Sequence, residues 1–226
     1  MSTTIQEQSD ALKAASAGRL PAEVLQTFTR DQVAWRAKGR PADAVTVGDV
    51  LSDFTLPNAT GQDVSLSQLV TNGPAVLVFY RGGWCPYCNL ALHQYQSELV
   101  PQLPSYSATL AAISPQKPDE SLSTVEKHNL QFAVLSDSGA SVARTLGIAF
   151  EPAEDILEAQ RALGLDIRDG NADGSPELAM PTVLVVDSDR TVRFADTHAD
   201  YTSRTEVADI LMALEPYRGA RSSSRS

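Results

Sequence analysis

Cys85 and Cys88, in the run Trp84-Cys85-Pro86-Tyr87-Cys88, are the only two cysteines of the chain. Two cysteines so spaced can close a small disulfide loop and reopen it by exchange, and the thiolate is the reactive species in both directions. The run Ala75 to Tyr80 before them is apolar and rich in β-branched residues, and Leu90 to Val100 after them carries apolar residues at helical spacing. The cysteines therefore lie at a strand-to-helix junction. A helix N-terminus offers unpaired N–H groups and partial positive charge, which lowers a thiol pKa from about 8.5 and raises the thiolate fraction. Pro86 suits an early helical position, where its missing N–H costs nothing, and Gly82 and Gly83 let backbone approach a ligand closely.

The neighbouring side chains carry two readings each. Arg81 either steadies a thiolate or is a solvated charge at a strand end. Trp84 and Tyr87 either form an apolar collar for a substrate or simply pack. A zinc site would need about four ligands, and beyond the cysteines only His93, His128 and His198 remain, so neither metal nor cofactor is expected. The offset from Cys88 turns His93 off the cysteine's face, towards the surface. Asp137 and Asp187, at strand ends, read as caps or turns.

The elements that must hold this motif follow from the pattern of the chain. Residues 1 to about 40 read as two or three short helices, with Pro21 fitting a start and Lys38 to Pro41 a stop. From Val47 a hairpin turning at Asn58 to Gln62 leads into a short helix. Strands are predicted at Ala75 to Tyr80, Ala108 to Ile113, Ala133 to Ser136 and Thr182 to Val186, with an antiparallel return strand at Thr191 to Ala195. Helices are predicted at Leu90 to Val100, closed by Pro101 and Pro104, and at Glu120 to His128, Ala140 to Leu146, Glu154 to Leu163 and Thr205 to Leu214. Asp166 to Ser175 reads as a polar loop and Arg221 to Ser226 as a disordered basic tail. Alternating strands and helices imply an α/β fold on a mainly parallel sheet, mixed once the return strand is added. The expected organisation is a helical extension over 1–45, one main domain over 46–216 and a tail over 217–226.

At 226 residues the chain can bury one sizeable core, and its 42% hydrophobic and 20% charged content is that of an ordinary globular protein. A net charge of −10 disfavours binding to nucleic-acid phosphates. The apolar run before the motif is far shorter than the ~20 residues a bilayer span needs. The first residues lack the basic and apolar pattern of a secretory signal, so a reducing cytoplasmic location is expected.

Strand, Trp-Cys-Pro-Tyr-Cys and helix resemble the active site of the thioredoxin-like superfamily, in its glutaredoxin-type Cys-Pro-Tyr-Cys form. Met180-Pro181-Thr182 resembles the cis-proline segment that faces the cysteines there, so the resemblance implies a cis Pro181 in contact with substrate. The wider frame is similar to the peroxiredoxins of the alkyl hydroperoxide reductase and thiol-specific antioxidant family, on Val47-Gly-Asp-Val-Leu-Ser-Asp-Phe-Thr-Leu, Val76-Leu-Val-Phe-Tyr, Ser136-Asp137 and Val185-Val186-Asp187. That resemblance runs from about Val47 to Leu214. It implies a peroxiredoxin-type thioredoxin-like fold, peroxidase or disulfide-exchange activity, and a thioredoxin, glutaredoxin or glutathione as reductant, with a homodimer as the family's expectation.

The chain departs from the peroxiredoxin signature Pro-x-x-x-Thr-x-x-Cys. Aligning the strand sets Cys88 on the peroxidatic cysteine, Cys85 on the threonine and Arg81 on the proline. Pro181 falls roughly where the family carries a later arginine, and Phe79 where thioredoxins carry a buried acid. Peroxiredoxin logic makes Cys88 the nucleophile; thioredoxin logic makes it Cys85. The expected activity is hydroperoxide reduction through the Cys85/Cys88 pair. The alternatives are thiol–disulfide exchange begun by Cys85, and a non-enzymatic redox sensor that signals through its disulfide state.

Overall fold

The computed structural model describes residues 3–118, 124–125 and 129–219. The predicted tail at 221–226 lies outside the described residues, as does most of the helix predicted at 120–128.

Five strands make the central sheet, in the order β5-β4-β3-β8-β9: β3 (Ala75–Phe79), β4 (Thr109–Ser114), β5 (Ala133–Ser136), β8 (Thr182–Val186) and β9 (Val192–Thr197). The strand β3 pairs parallel with β4, which pairs parallel with β5, while β8 runs antiparallel to both β3 and β9. The sheet is thus mixed in equal measure, because β8 enters β3's free edge by way of a long excursion and returns through a tight turn at Asp187 to Arg190. Every residue of β3 and β8 is buried, which is why both read as continuous apolar runs: a central strand covered on two faces has no polar side.

The pleat of β3 divides the core. Val76, Val78 and Tyr80 pack with Cys85, Cys88, Tyr95 and Ile5 on one face, and Ala75, Leu77 and Phe79 pack with Leu66, Ile113 and Leu184 on the other. The cysteine-bearing face is covered by α4 (Pro86–Gln94), by α8 (Val207–Leu214) and by α1 (Ile5–Ala17). The predicted hairpin is present as β1 (Thr55–Pro57) and β2 (Asp63–Ser65), followed by α3 (Leu66–Leu69), whose start is fixed by a reciprocal Ser65–Gln68 capping box.

Some elements depart from the sequence pattern. The helix after the motif starts at Pro86, widens into a π turn over Tyr95–Leu99 and tightens to a 3₁₀ stretch over Val100–Tyr106. Pro101 and Pro104 therefore do not close the element; they sit in the stretch whose bonding no longer needs their N–H groups. The 166–175 loop contains the short helix α7 (Ile167–Gly170), because Asp166 accepts from the Arg168 N–H at 3.0 Å and Ile167 is buried. A small ribbon, β6 (Ala149–Phe150) with β7 (Leu178–Ala179), was not legible at all. Two further helices are α5 (Ser141–Thr145) and α6 (Glu154–Ala162).

The N-terminal arm packs on the rest of the chain. Thr4 caps α1 reciprocally with Glu7, and the Glu206 carboxylate accepts from the Ile5 and Gln6 N–H groups at 3.0 and 2.9 Å. A carboxylate at that helix end satisfies orphan donors and the helix dipole together. The second arm helix, α2 (Ala22–Lys38), lies against α6.

Candidate active site

The strand β3 delivers the chain to Arg81, Gly82 and Gly83, and Cys85 then serves as N-cap of α4, with Pro86 at the first helical position. Cys88 falls in the first turn, where its N–H already reaches the Cys85 carbonyl at 3.1 Å. Both cysteines are free thiols and both are buried. The loop glycines serve the protein's own packing. A Cβ on Gly82, whose φ is 151°, would lie 2.5 Å from Trp84 Nε1, and one on Gly83 would lie 2.2 Å from Thr124 Oγ1. The close approach expected for a ligand is thus made to Trp84, Gln116 and Thr124.

The residue that sets the electrostatics is Arg204, from the loop between β9 and α8. Its Nη2 stands 3.0 Å from Cys88 Sγ and 3.8 Å from Cys85 Sγ, while Nη1 donates to the Tyr201 and Ser203 carbonyls at 2.6 and 2.5 Å. These bonds aim the guanidinium at the sulfurs, and its side chain is buried. The two thiols are driven apart. Burial, and then S–H donation towards Cys88, push the Cys85 thiol well above its ordinary value. Burial opposes ionisation at Cys88 too, but the hydrogen bond from Cys85, the Arg204 charge and the Arg81 backbone N–H outweigh it and hold Cys88 well below the usual thiol range. The pair therefore ionises at Cys88 first, with Cys85 as its proton-bearing neighbour.

Beside Cys88 lies a cavity of about 10 Å³ lined by Pro181, Thr182, His198, Arg204 and Thr205 among others, room for about one water-sized group. His198 is fixed there by Ser203 Oγ at 2.9 Å from Nδ1, and by Asp196 Oδ2 and Thr205 Oγ1 at 3.1 and 3.2 Å from Nε2. The His198 bond holds the Asp196 carboxyl below its ordinary value against the pull of burial.

Pro181 does meet the site, but its peptide bond is trans, as is every described bond. The chain enters β8 extended: the Met180 N–H bonds the Ile148 carbonyl at 2.8 Å, and the Pro181 carbonyl accepts from His198 N–H at 2.8 Å. The first bond extends the β6–β7 ribbon and the second the β8–β9 pairing, and a trans bond is the ordinary preference.

Arg81 is not a solvated charge. It is 5% exposed, with its guanidinium 5.0 Å from the Trp84 ring and 4.5 Å from the Tyr201 ring. Trp84, Tyr87 and Cys85 line a second, larger cavity of about 250 Å³ together with residues of the arm, so the aromatic pair forms a wall as well as packing. His93 is exposed, as its spacing implied. Asp137 accepts from the Val142 and Ala143 N–H groups, each at 3.0 Å, and Asp187 from the turn residues 189 and 191, so both are structural caps.

Sequence reasoning missed Arg204 altogether. It lies far along the chain from the cysteines, in Thr-Ser-Arg-Thr, and only its position just before an apolar helix could have flagged it. His198 was considered only as a metal ligand; among the described residues no group of His, Cys, Asp and Glu side chains could hold a metal ion.

The model of the AhpC/TSA family matches residues 47–195. The chain belongs to the AhpC/TSA family. A protein named as a peroxiredoxin in Mycobacterium tuberculosis is 30% identical over 101 residues, 45% of this chain and 65% of the relative. One from Buchnera aphidicola is 31% identical over 102 residues, 45% of this chain and 63% of its own length. The chain thus matches just under two thirds of these curated relatives. Among solved structures, the peroxidoxin BcpB of Mycobacterium tuberculosis superposes with a TM-score of 0.59 at 25% identity, covering 79% of this chain and 99% of that one. Reduced Prx3 of Vibrio vulnificus in complex with hydrogen peroxide gives 0.60 at 20% identity, covering 76% and 99%. The thioredoxin-like, peroxiredoxin-type fold is thereby established. The matched family span includes Cys85, Cys88 and Pro181 and stops short of Arg204, and it begins after the arm.

Proposed function

We propose that the protein is a thiol peroxidase in which Cys88 is the nucleophile and Cys85 the resolving thiol. The observation that carries this reading is Arg204 Nη2 at 3.0 Å from Cys88 Sγ, beside a cavity with room for about one water-sized group. The Cys88 thiolate attacks the nearer peroxide oxygen; the O–O bond breaks, and the alkoxide or hydroxide leaves with a proton from solvent. Cys88 becomes a sulfenic acid. The Cys85 sulfur then displaces its hydroxyl group, forming the Cys85–Cys88 disulfide and releasing water. Two external thiols reduce that disulfide and are themselves joined as one. The peroxidase logic thus takes precedence over the thioredoxin assignment of the nucleophile, because the buried cation stands on the second cysteine.

On this reading Pro181 and Arg81 belong to the site's walls, and Trp84 and Tyr87 to the approach. On the same reading residues 1–45 are an extension, residues 46–216 the catalytic domain and the cytoplasm the setting. No helix among the described residues is long and apolar enough to cross a membrane. The test is single-turnover oxidation of the reduced protein by hydrogen peroxide and an organic hydroperoxide, with sulfenic acid trapped for mass spectrometry. Cys85→Ser should accumulate sulfenate on Cys88, and Cys88→Ser should oxidise no faster than a free thiol. Slow oxidation of the wild type, with rapid turnover of a disulfide substrate begun by Cys85, would instead establish the exchange activity.

A further inference from the structure

We propose that the cavity roofed by the N-terminal arm is the binding site for the reductant, a low-molecular-weight organic thiol with an apolar body and one anionic group held by Arg81. The inference rests on the peroxidase reading above and concerns its second half, the reduction of the Cys85–Cys88 disulfide.

The two cysteines open on spaces of different size. Cys88 borders the cavity of about 10 Å³, and Cys85 borders the one of about 250 Å³. The first has room for about one water-sized group, and the second for an organic one. The walls of the larger cavity are mainly apolar: Leu20, Leu25 and Phe28 from the arm, Ile156 from α6, and Trp84 and Tyr87 from the motif. Such a lining, with few polar groups, is that of a small-molecule site.

The polar groups indicate the ligand's charge. Arg81 lines this cavity, is 95% buried by its 5% exposure, makes no ion pair among the described residues, and has a buried Nε with no hydrogen-bond partner. Two aromatic faces hold it, and neither neutralises it. A buried guanidinium so placed is complementary to an anionic group that arrives with a ligand. Gln160 adds a buried Oε1 without a partner at the same cavity. The other charged lining groups are Lys13, whose Nζ donates to Gln32 Oε1 at 2.7 Å, and Asp31, which makes no salt bridge with Arg81; burial pushes its carboxyl above the ordinary value while the Arg81 charge pulls the other way. Lys13 is turned to Gln32, and Arg81, with no salt bridge among the described residues, is the buried cation placed to meet the anion.

The chemistry gives the direction of attack. The incoming thiolate attacks Cys85 Sγ, a bond forms between the two sulfurs, and the Cys85–Cys88 bond breaks with its electron pair going to Cys88. Cys88 is the better leaving group, because Arg204 already stabilises its thiolate. A second thiolate attacks the ligand's sulfur in the mixed disulfide and releases Cys85, which takes a proton. Two thiols are oxidised to one disulfide and the protein pair is reduced.

The test follows reduction of the disulfide form, prepared with diamide so that peroxide plays no part, by stopped-flow tryptophan fluorescence with a matched thiol series. Mercaptohexanoate should reduce wild type ~10-fold faster than either mercaptohexanol, which lacks the charge, or mercaptopropionate, which lacks the apolar length. In Arg81→Met the advantage over mercaptohexanol should vanish, a ratio that a general loss of activity does not imitate. Phe28→Asp should slow reduction by mercaptohexanoate ~10-fold more than reduction by mercaptopropionate. Equal rates across the series in wild type would overturn the proposal without recourse to any variant. So would a Phe28→Asp protein slowed in oxidation by organic hydroperoxide and not in reduction, since the cavity would then serve the peroxide. Failure of the wild type to be oxidised by peroxide, with the thiol preference intact, would refute the peroxidase reading and leave the thiol site standing.

Discussion

Replacing Arg204 with methionine removes the charge facing Cys88 while keeping much of the side chain's length. A hydrogen bond to a charged group contributes about 1.5–3 kcal/mol, and each unit of pKa corresponds to about 1.36 kcal/mol, so the Cys88 pKa should rise by about 1–2 units. The sign is fixed: the guanidinium favours the thiolate over the thiol, so its loss favours the thiol. Burial, already opposing ionisation, then acts with less to offset it, which places the shift at the upper end. The assay is a pH titration of the thiolate ultraviolet absorbance, run on a Cys85→Ser background so that one sulfur is observed, alongside the pH profile of hydrogen peroxide oxidation. In the parent the oxidation rate should fall as pH drops through the low Cys88 pKa and stay level above it. In Arg204→Met both midpoints should move up together by the same amount, and the rate at pH values between the old and new midpoints should drop. Arg204→Lys should recover part of the shift, as a point charge without the paired carbonyl contacts that aim the arginine. Titration midpoints that agree within a few tenths of a unit, in a variant that melts like wild type, would refute the assignment of Arg204 as the thiolate's counter-charge.

Further outcomes follow from the same structure. Gly83→Ala would set a Cβ 2.2 Å from Thr124 Oγ1, and should destabilise by ~1–3 kcal/mol in chemical denaturation and slow oxidation by displacing the cysteine loop. Glu206→Ala removes two acceptors from the start of α1, and should cost ~1–2 kcal/mol, read as faster limited proteolysis within residues 1–45. Asp137→Ala should lower stability by a similar ~1–2 kcal/mol through loss of the α5 cap, with single-turnover oxidation unchanged.

Much of this molecule was legible along the chain. The apolar runs at Ala75–Phe79 and Thr182–Val186 announce buried central strands, because a strand covered on both faces has no polar alternate positions. The Cys-Pro-Tyr-Cys spacing fixes both sulfurs at the start of a helix, because Pro86 can occupy its first position and the backbone period does the rest. Such features depend on neighbours in sequence, so composition and periodicity carry them.

Other features depend on neighbours in space. Arg204 meets Cys88 only because β9 runs back along β8 and the loop after it turns over the head of β3; no spacing between residues 88 and 204 records that. Arg81 looks like a surface charge until Trp84 and Tyr201 close around it. The choice of nucleophile, which the two family resemblances left divided, turns on a difference in electrostatic environment between sulfurs three residues apart. Sequence determined that two thiols would share one helix end. Tertiary structure decided which would be the anion, because a buried charge acts through distance and desolvation, and both are set by chain segments that the motif does not contain.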